Sequence, residues 1–275
     1  MLKLFKDTIK ITNDNIILAT PLILFMWISS MYIAFSKGAA NSAPLMLLSF
    51  ITLLFMTSAF LAGWFYMVKK AINLSKQVFV LDSDRAKATF NLLKSLSIGI
   101  GKYFLSFLGQ TAFSFVIFAI TGLLIFKLGS VLIGDIGIDP TELKTVLAST
   151  TEMKTFLDSL TLEQLIKLNN WNLLILGFTS LLSFLSMLWI PEIIYNTINP
   201  FKALFKSIAK IFKKPLNAIK LYIFITIINF VLSLLNALSM LNPILYFVIM
   251  ILYFYFLVYL VVLIFNYYDN EFREE

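Results

Sequence analysis

The chain has 275 residues, 60% of them hydrophobic and only 13% charged, with a formal net charge of +7. Soluble domains are nearer half apolar and a quarter charged, so a water-soluble core does not accommodate this composition. There is no cysteine and no histidine, which excludes disulfides, thiol nucleophiles, histidine base chemistry and the commonest zinc ligands.

Windows of twenty or more apolar residues recur, the length that crosses about 30 Å of hydrocarbon. They predict an all-α polytopic membrane bundle of six transmembrane helices, over 16–36, 45–67, 104–126, 172–195, 217–239 and 243–267. A transmembrane barrel needs alternating segments of about ten residues, and the run YFVIMILYFYFLVYLVVLIF does not alternate. The first span follows Lys3, Lys6 and Lys10 and precedes the small residues GAANSAP. It exceeds the roughly 7–15-residue core of a signal peptide and reads as a retained span.

The first connection on the basic side, 68–103, opens its second half with LDSDR (81–85). A D-x-D of this kind holds a metal in nucleotide-sugar chemistry. Here Asp82, Ser83 or Asp84 as the N-cap of the following helix accounts for it. The third span continues into an apolar tail over 127–134. Beyond it, the acidic 135–170 connection carries helix-start signals. DPTE places Asp139 as N-cap, Pro140 at the first helical position and Glu142 at N3. TLEQ makes a capping box of Thr161 and Gln164. Met153, Phe156, Leu157 and Leu160 recur at helical spacing between them, so short helices are expected over the outer end of the bundle.

The fourth span ends in MLWIPEIIYN, which contains Glu192. A carboxylate in a membrane segment is a proton or cation site by default. So close to the span end, it reads rather as an interfacial glutamate that pairs with a lysine or caps backbone freed by Pro191. Uncharged polar stripes lie on the third span (Gln110, Ser114), the fourth (Thr179, Ser183, Ser186) and the fifth (Asn229, Ser233, Asn236). They serve as helix-packing hydrogen bonds of about 0.6 kcal/mol each, or they line a polar pathway.

FKALFKSIAKIFKKP (201–215) is the most amphipathic stretch. Phe201, Leu204, Phe205, Ile208 and Phe212 share one face, and Lys202, Lys206, Lys210, Lys213 and Lys214 another. This predicts a helix in the headgroup plane, its phenylalanines toward lipid and its lysines, together with Lys94 of the earlier basic stretch, on anionic phosphates. Each such lysine contributes roughly 1 kcal/mol. A nucleic-acid interface needs exposed aromatics interleaved with base-reading groups, and is not expected. Pro200 suits the helix start, and Pro215 the turn into the fifth span.

Seventeen basic residues fall in the termini and the connections on their side, five on the other. The positive-inside rule therefore places both termini in the cytoplasm. The chain reads as one integral membrane domain, 1–275, built of three approximate repeats: 1–67, 86–195 and 200–268. Each is a helical hairpin preceded by a basic interfacial amphipathic helix: 4–15, 86–104 and 201–224. Phe90, Lys94 and Ser95 answer the neighbourhood of Leu204 or Phe205, Lys206 and Ser207, allowing a one-residue slip. Pro44 and Pro243 open returning helices.

Over 188–224, Pro191, Ala203, Leu204 and Ser207 give a proline-bearing span end, a short polar link, an A-L-x-x-S helix and a new span. This resembles the membrane domain of bacterial glycerophosphodiester phosphodiesterases and its standalone relatives. Asn196 or Asn199 stands where that group has an acidic residue in the link. The resemblance implies architecture and a cytoplasmic-membrane location. It implies no reaction, since this chain has no phosphodiesterase domain. No phosphate-loop, nucleophile-elbow or zincin motif is present.

The expected protein is therefore non-enzymatic, needs no cofactor or metal, and organises lipid or scaffolds a membrane-protein partner. Anionic membrane lipids are its expected partners, with no nucleic acid. The alternative is a transporter or channel for a small or amphiphilic solute, and the third reading a membrane-embedded lipid enzyme.

Overall fold

The structure is a computed structural model that describes residues 2–36, 42–137, 156, 158–239 and 243–273. The expected cap at Asp139, Pro140 and Glu142, with Met153 and Leu157, lies outside the described residues. Nine helices are named here: α1 (Leu2–Asp14), α2 (Ala19–Ser36, entered through a 3-10 turn at Ile16–Leu18), α3 (Ala43–Ser75), α4 (Asp82–Leu132), α5 (Leu162–Ser186), α6 (Trp189–Tyr195), α7 (Pro200–Lys213), α8 (Pro215–Ser239) and α9 (Pro243–Glu271). Among the described residues, six helical segments are long and apolar enough to cross a bilayer. The protein is an all-α, multi-pass integral membrane protein.

The chain divides into two compact units, Met1–Ala112 with Leu185–Glu275, and Phe113–Phe184. In the first, α9 is the central helix, packed by α1, α2, α3, α6 and α8. Its second half supplies much of the core: Val258, Val262, Leu263, Phe265 and Tyr268 are buried, as are Phe65, Met67 and Val68 of α3. The rings of Phe65 and Phe265 stack at 5.6 Å. Burying such side chains contributes about 1.5–3 kcal/mol each relative to leaving them in water. The opposite half of this unit is more open, and residues 245–248 of α9 and most of 23–35 of α2 are exposed. Within a bilayer, that apolar exposure is compatible with lipid.

Helix breaks follow local chemistry. At Asn15 the chain leaves α1, and the Trp64 indole donates to the freed Leu18 carbonyl at 2.8 Å. Pro215 separates α7 from α8. Pro191 lacks the N–H that would continue α5, and the turn at Met187–Leu188 precedes α6. The second basic stretch, 86–104, differs from the expectation of a separate interfacial helix. It has no proline, and α4 runs unbroken for 51 residues. At 1.5 Å per residue this is about 75 Å, well beyond a bilayer of about 40–45 Å. Gly99 has a packing reason instead of a hinge: a Cβ there would lie 2.8 Å from the Ala62 carbonyl and 2.9 Å from the Gly63 Cα. The glycines let α3 and α4 touch backbone to backbone.

The second unit contains the end of α4 and most of α5. Trp171 donates to the Gly134 carbonyl at 3.2 Å, and its indole covers Gly129. The expected capping box is present at the start of α5. Thr161 N donates to Gln164 Oε1 at 3.0 Å, and Gln164 N to Thr161 Oγ1 at 3.3 Å. α4 itself begins at Asp82, which places Asp84 of the D-x-D in its first turn, where the helix dipole favours a carboxylate.

Candidate functional site

The densest polar chemistry of the first unit gathers around α6, a seven-residue helix in the sequence WIPEIIY. Glu192 is fully buried. Its Oε2 accepts from Lys210 Nζ of α7 at 2.8 Å and from the Tyr268 hydroxyl of α9. Its Oε1 accepts from Asn196 Nδ2 at 3.1 Å. The Tyr268 oxygen in turn accepts from Lys210 at 2.7 Å and from Asn196 at 2.6 Å. One hydroxyl thus donates once and accepts twice, which fills its capacity. Carboxylate and ammonium are neutral as a pair and hydrogen-bonded throughout, the condition under which buried charges are tolerated.

The same short helix is tied on its other sides. The Ile194 carbonyl accepts from Lys69 Nζ of α3 at 2.8 Å and from the Tyr103 hydroxyl of α4 at 3.1 Å. The Trp189 indole donates to the Pro200 carbonyl at 2.7 Å. α6 therefore joins α3, α4, α7 and α9. Of the two readings of Glu192, the pairing with a lysine is the one this geometry supports, and the lysine is Lys210.

α7 is capped where it starts. Asn199 Oδ1 accepts from Lys202 N at 3.0 Å, and Pro200 occupies the first turn. The helix then shows three faces rather than the two expected. Ala203, Leu204, Ser207, Lys210 and Ile211 are buried. Phe201, Phe205 and Phe212 project away from the protein, the last two 68% and 69% exposed. Lys202, Lys206 and Lys213 are exposed on a third side. At 100° per residue these sides lie about a third of a turn apart. Lys210 is the correction to the expected headgroup set. Its position borders Ala203 and Ser207, and the buried Glu192 carboxylate draws it inward until it is 8% exposed. Lys214 is exposed and donates to the Glu271 carbonyl. Lys94 is exposed on α4.

The polar stripes do not gather at this hub. Asn229, Ser233 and Asn236 are exposed along α8, and Asn236 borders a cleft of about 560 Å³ between α2, α8 and α9. Gln110 and Ser186 belong to the first unit, Ser114, Thr179 and Ser183 to the second. Thr179 bonds back to the Ile175 carbonyl of its own helix at 2.8 Å. Among the described residues no group of three His, Cys, Asp or Glu side chains is arranged to hold a metal ion.

Sequence reasoning did not single out Tyr268, Lys69 or Tyr103, and it named Asn196 only as a departure in the link, not as a partner of Glu192. The signal for the first was NYYDN (266–270), an abrupt change from an aliphatic span to amide, phenol and carboxylate. Asn266 belongs to it as well, and donates to Thr8 Oγ1 of α1 at 3.1 Å. No family model matches this chain, and no curated protein or solved structure does.

Proposed function

We propose that the protein organises lipid at the cytoplasmic membrane without catalysing a reaction, with both termini in the cytoplasm and α7 as its lipid-contacting element. The observation that carries this reading is the three-sided α7. A helix in the headgroup plane needs an apolar side toward acyl chains and a cationic side toward phosphates. Phe201, Phe205 and Phe212 supply the first, and Lys202, Lys206 and Lys213 the second. The third side, tied through Lys210 to Glu192 and Tyr268, holds the helix to the bundle, so lipid meets a preset surface. The excess of basic residues on the terminal side favours the cytoplasmic orientation. No reaction is carried over from the resemblance at 188–224.

Lipid retention tests the proposal. The protein, reconstituted with mixed phosphatidylcholine and phosphatidylglycerol and then extracted gently, should retain phosphatidylglycerol preferentially. The K202Q/K206Q/K213Q variant should lose most of that preference while remaining folded. Equal retention by both proteins would remove α7 as the anionic-lipid element.

A further inference from the structure

A second charged cluster lies beside the hub, and among the described residues its cations outnumber its carboxylates. The Lys69 ammonium sits 4.7 Å from the centre of the Tyr195 ring, and the Arg273 guanidinium 5.2 Å from the same centre. Lys69 shares the Ile194 carbonyl with Tyr103. Tyr103 packs 5.7 Å from Tyr66, and Lys102 and Lys70 stand over these two rings at 5.3 and 5.6 Å. The charges of Arg273, Lys102, Lys70 and Asp269 all act on Lys69, and of these Asp269 alone is negative. That carboxylate is shared between Arg273, at 2.8 Å, and Lys76. Of the other carboxylates nearby among the described residues, Glu192 is engaged with Lys210 and Glu271 with Asn217. The Tyr195 hydroxyl is buried and has no hydrogen-bond partner among the described residues.

Cations held this close on tyrosine faces repel one another, and the repulsion is relieved by an anion placed among them. Lys70, Lys102 and Arg273 are exposed, so the cluster is open to an incoming group. Arginine offers a planar fork and lysine a compact point charge, the pairing suited to phosphate oxygens. A cleft of about 480 Å³ adjoins Lys102 and is lined beneath it by Phe104, Leu105 and Ile198. An acyl chain fits such a lining if the phosphate belongs to a lipid.

We infer that Lys69, Lys70, Lys102 and Arg273 form a binding site for a phosphate-bearing dianion, either free or as the headgroup of an anionic lipid. The site lies apart from the lysines of α7 and goes beyond the lipid contact proposed there. Lys70 and Lys102 are the residues to change, because each is exposed and stands over a tyrosine of its own helix, whereas Lys69 also supports the hub.

The test uses two probes on the full chain. Inorganic pyrophosphate is titrated into detergent-solubilised protein, and phosphatidic acid is titrated in phosphatidylcholine nanodiscs. Saturable binding of pyrophosphate assigns a free anion; saturable binding of phosphatidic acid alone assigns a lipid headgroup. In either case K70Q/K102Q should weaken binding by roughly tenfold or more with unchanged thermal unfolding, and K202Q/K206Q/K213Q should leave it within about twofold. Binding of neither probe, or binding that K70Q/K102Q does not weaken, would overturn the site. Loss of binding in the α7 variant alone would overturn it as well. Persistence of binding in a protein that has lost its phosphatidylglycerol preference would separate this site from the α7 surface.

Discussion

Two short amphipathic helices, α1 and α7, each lead into a membrane hairpin, and they are bound to the bundle by opposite means. α1 buries a polar stripe, Thr8, Thr12 and Asn15 with Ile11, against α9 and its surroundings. Its ties to α9 are neutral hydrogen bonds, Asn266 to Thr8 and the Tyr255 hydroxyl to Asn13 Oδ1 at 2.6 Å, and Phe5 stacks on Phe224 of α8 at 3.8 Å. An Arg85–Asp14 ion pair lies on its exposed side. α7 buries small and aliphatic residues and a single charge, and leaves its phenylalanines outside. The comparison teaches that the apolar side of an amphipathic helix need not face the protein. In a membrane, lipid offers phenylalanine as good a partner as the bundle does, so polar complementarity decides which side is packed.

The largest expected effect lies at the α7 anchor. Lys210→Met strands the Glu192 carboxylate in a buried site, which costs about 3–5 kcal/mol, seen as a sharp fall in thermal unfolding temperature in detergent. Adding Glu192→Gln to it should restore much of the loss, because the lone charge is gone. If the single and double variants are equally unstable, the pair is not what holds α7.

The helix without a break is expected to be next in sensitivity. Gly99→Leu drives a side chain into the α3 backbone and costs about 1–3 kcal/mol, whereas Gly101, whose Cβ would meet nothing within 4 Å, should tolerate alanine or gain slightly. Similar losses at both positions would mean that the glycines soften α4 rather than admit α3.

The α1 anchor should be weaker. Asn266→Leu removes two neutral hydrogen bonds, the one donated to Thr8 and the one its Oδ1 accepts from Asn270, but leaves the Thr8 hydroxyl bonded to the Leu4 carbonyl at 2.8 Å and the Asn270 amide bonded to the Asn266 carbonyl at 2.7 Å. A cost of about 1 kcal/mol is expected, with increased mobility of a probe on α1 and none on α7. A loss as large as that of Lys210→Met would erase the distinction between the two anchors. Smallest in stability is the outer surface of α7: Phe205→Ser should change unfolding by less than about 0.5 kcal/mol in detergent.

These differences mark what is legible in a sequence. The six spans were readable because hydrophobic length is a local property. The turn at Pro215, the helix start at Pro200 and the Thr161–Gln164 box were readable because capping is decided within a few residues, whereas the break before Pro191 fell inside an expected span. The separate interfacial helix expected before the third span was not found, since a basic amphipathic pattern does not by itself end a helix. At the candidate site, Glu192 was visible as an isolated carboxylate, but its partners were not. Lys210 belongs to a lysine periodicity that five residues satisfy equally. Tyr268 lies 76 positions away, and only the packing of α9 against α6 selects it. The basic cluster around Tyr195 is likewise drawn from α3, α4 and the end of the chain, whose lysines read one by one as ordinary flanks of spans.

The central claim, that α7 lies in the membrane plane with its phenylalanines in lipid, is tested most directly by spin labels placed singly at 201, 205, 212, 202, 206 and 213 in proteoliposomes. Labels at 201, 205 and 212 should collide with oxygen, and labels at 202, 206 and 213 with a water-soluble nickel chelate. Equal access of the chelate to all six positions would contradict it.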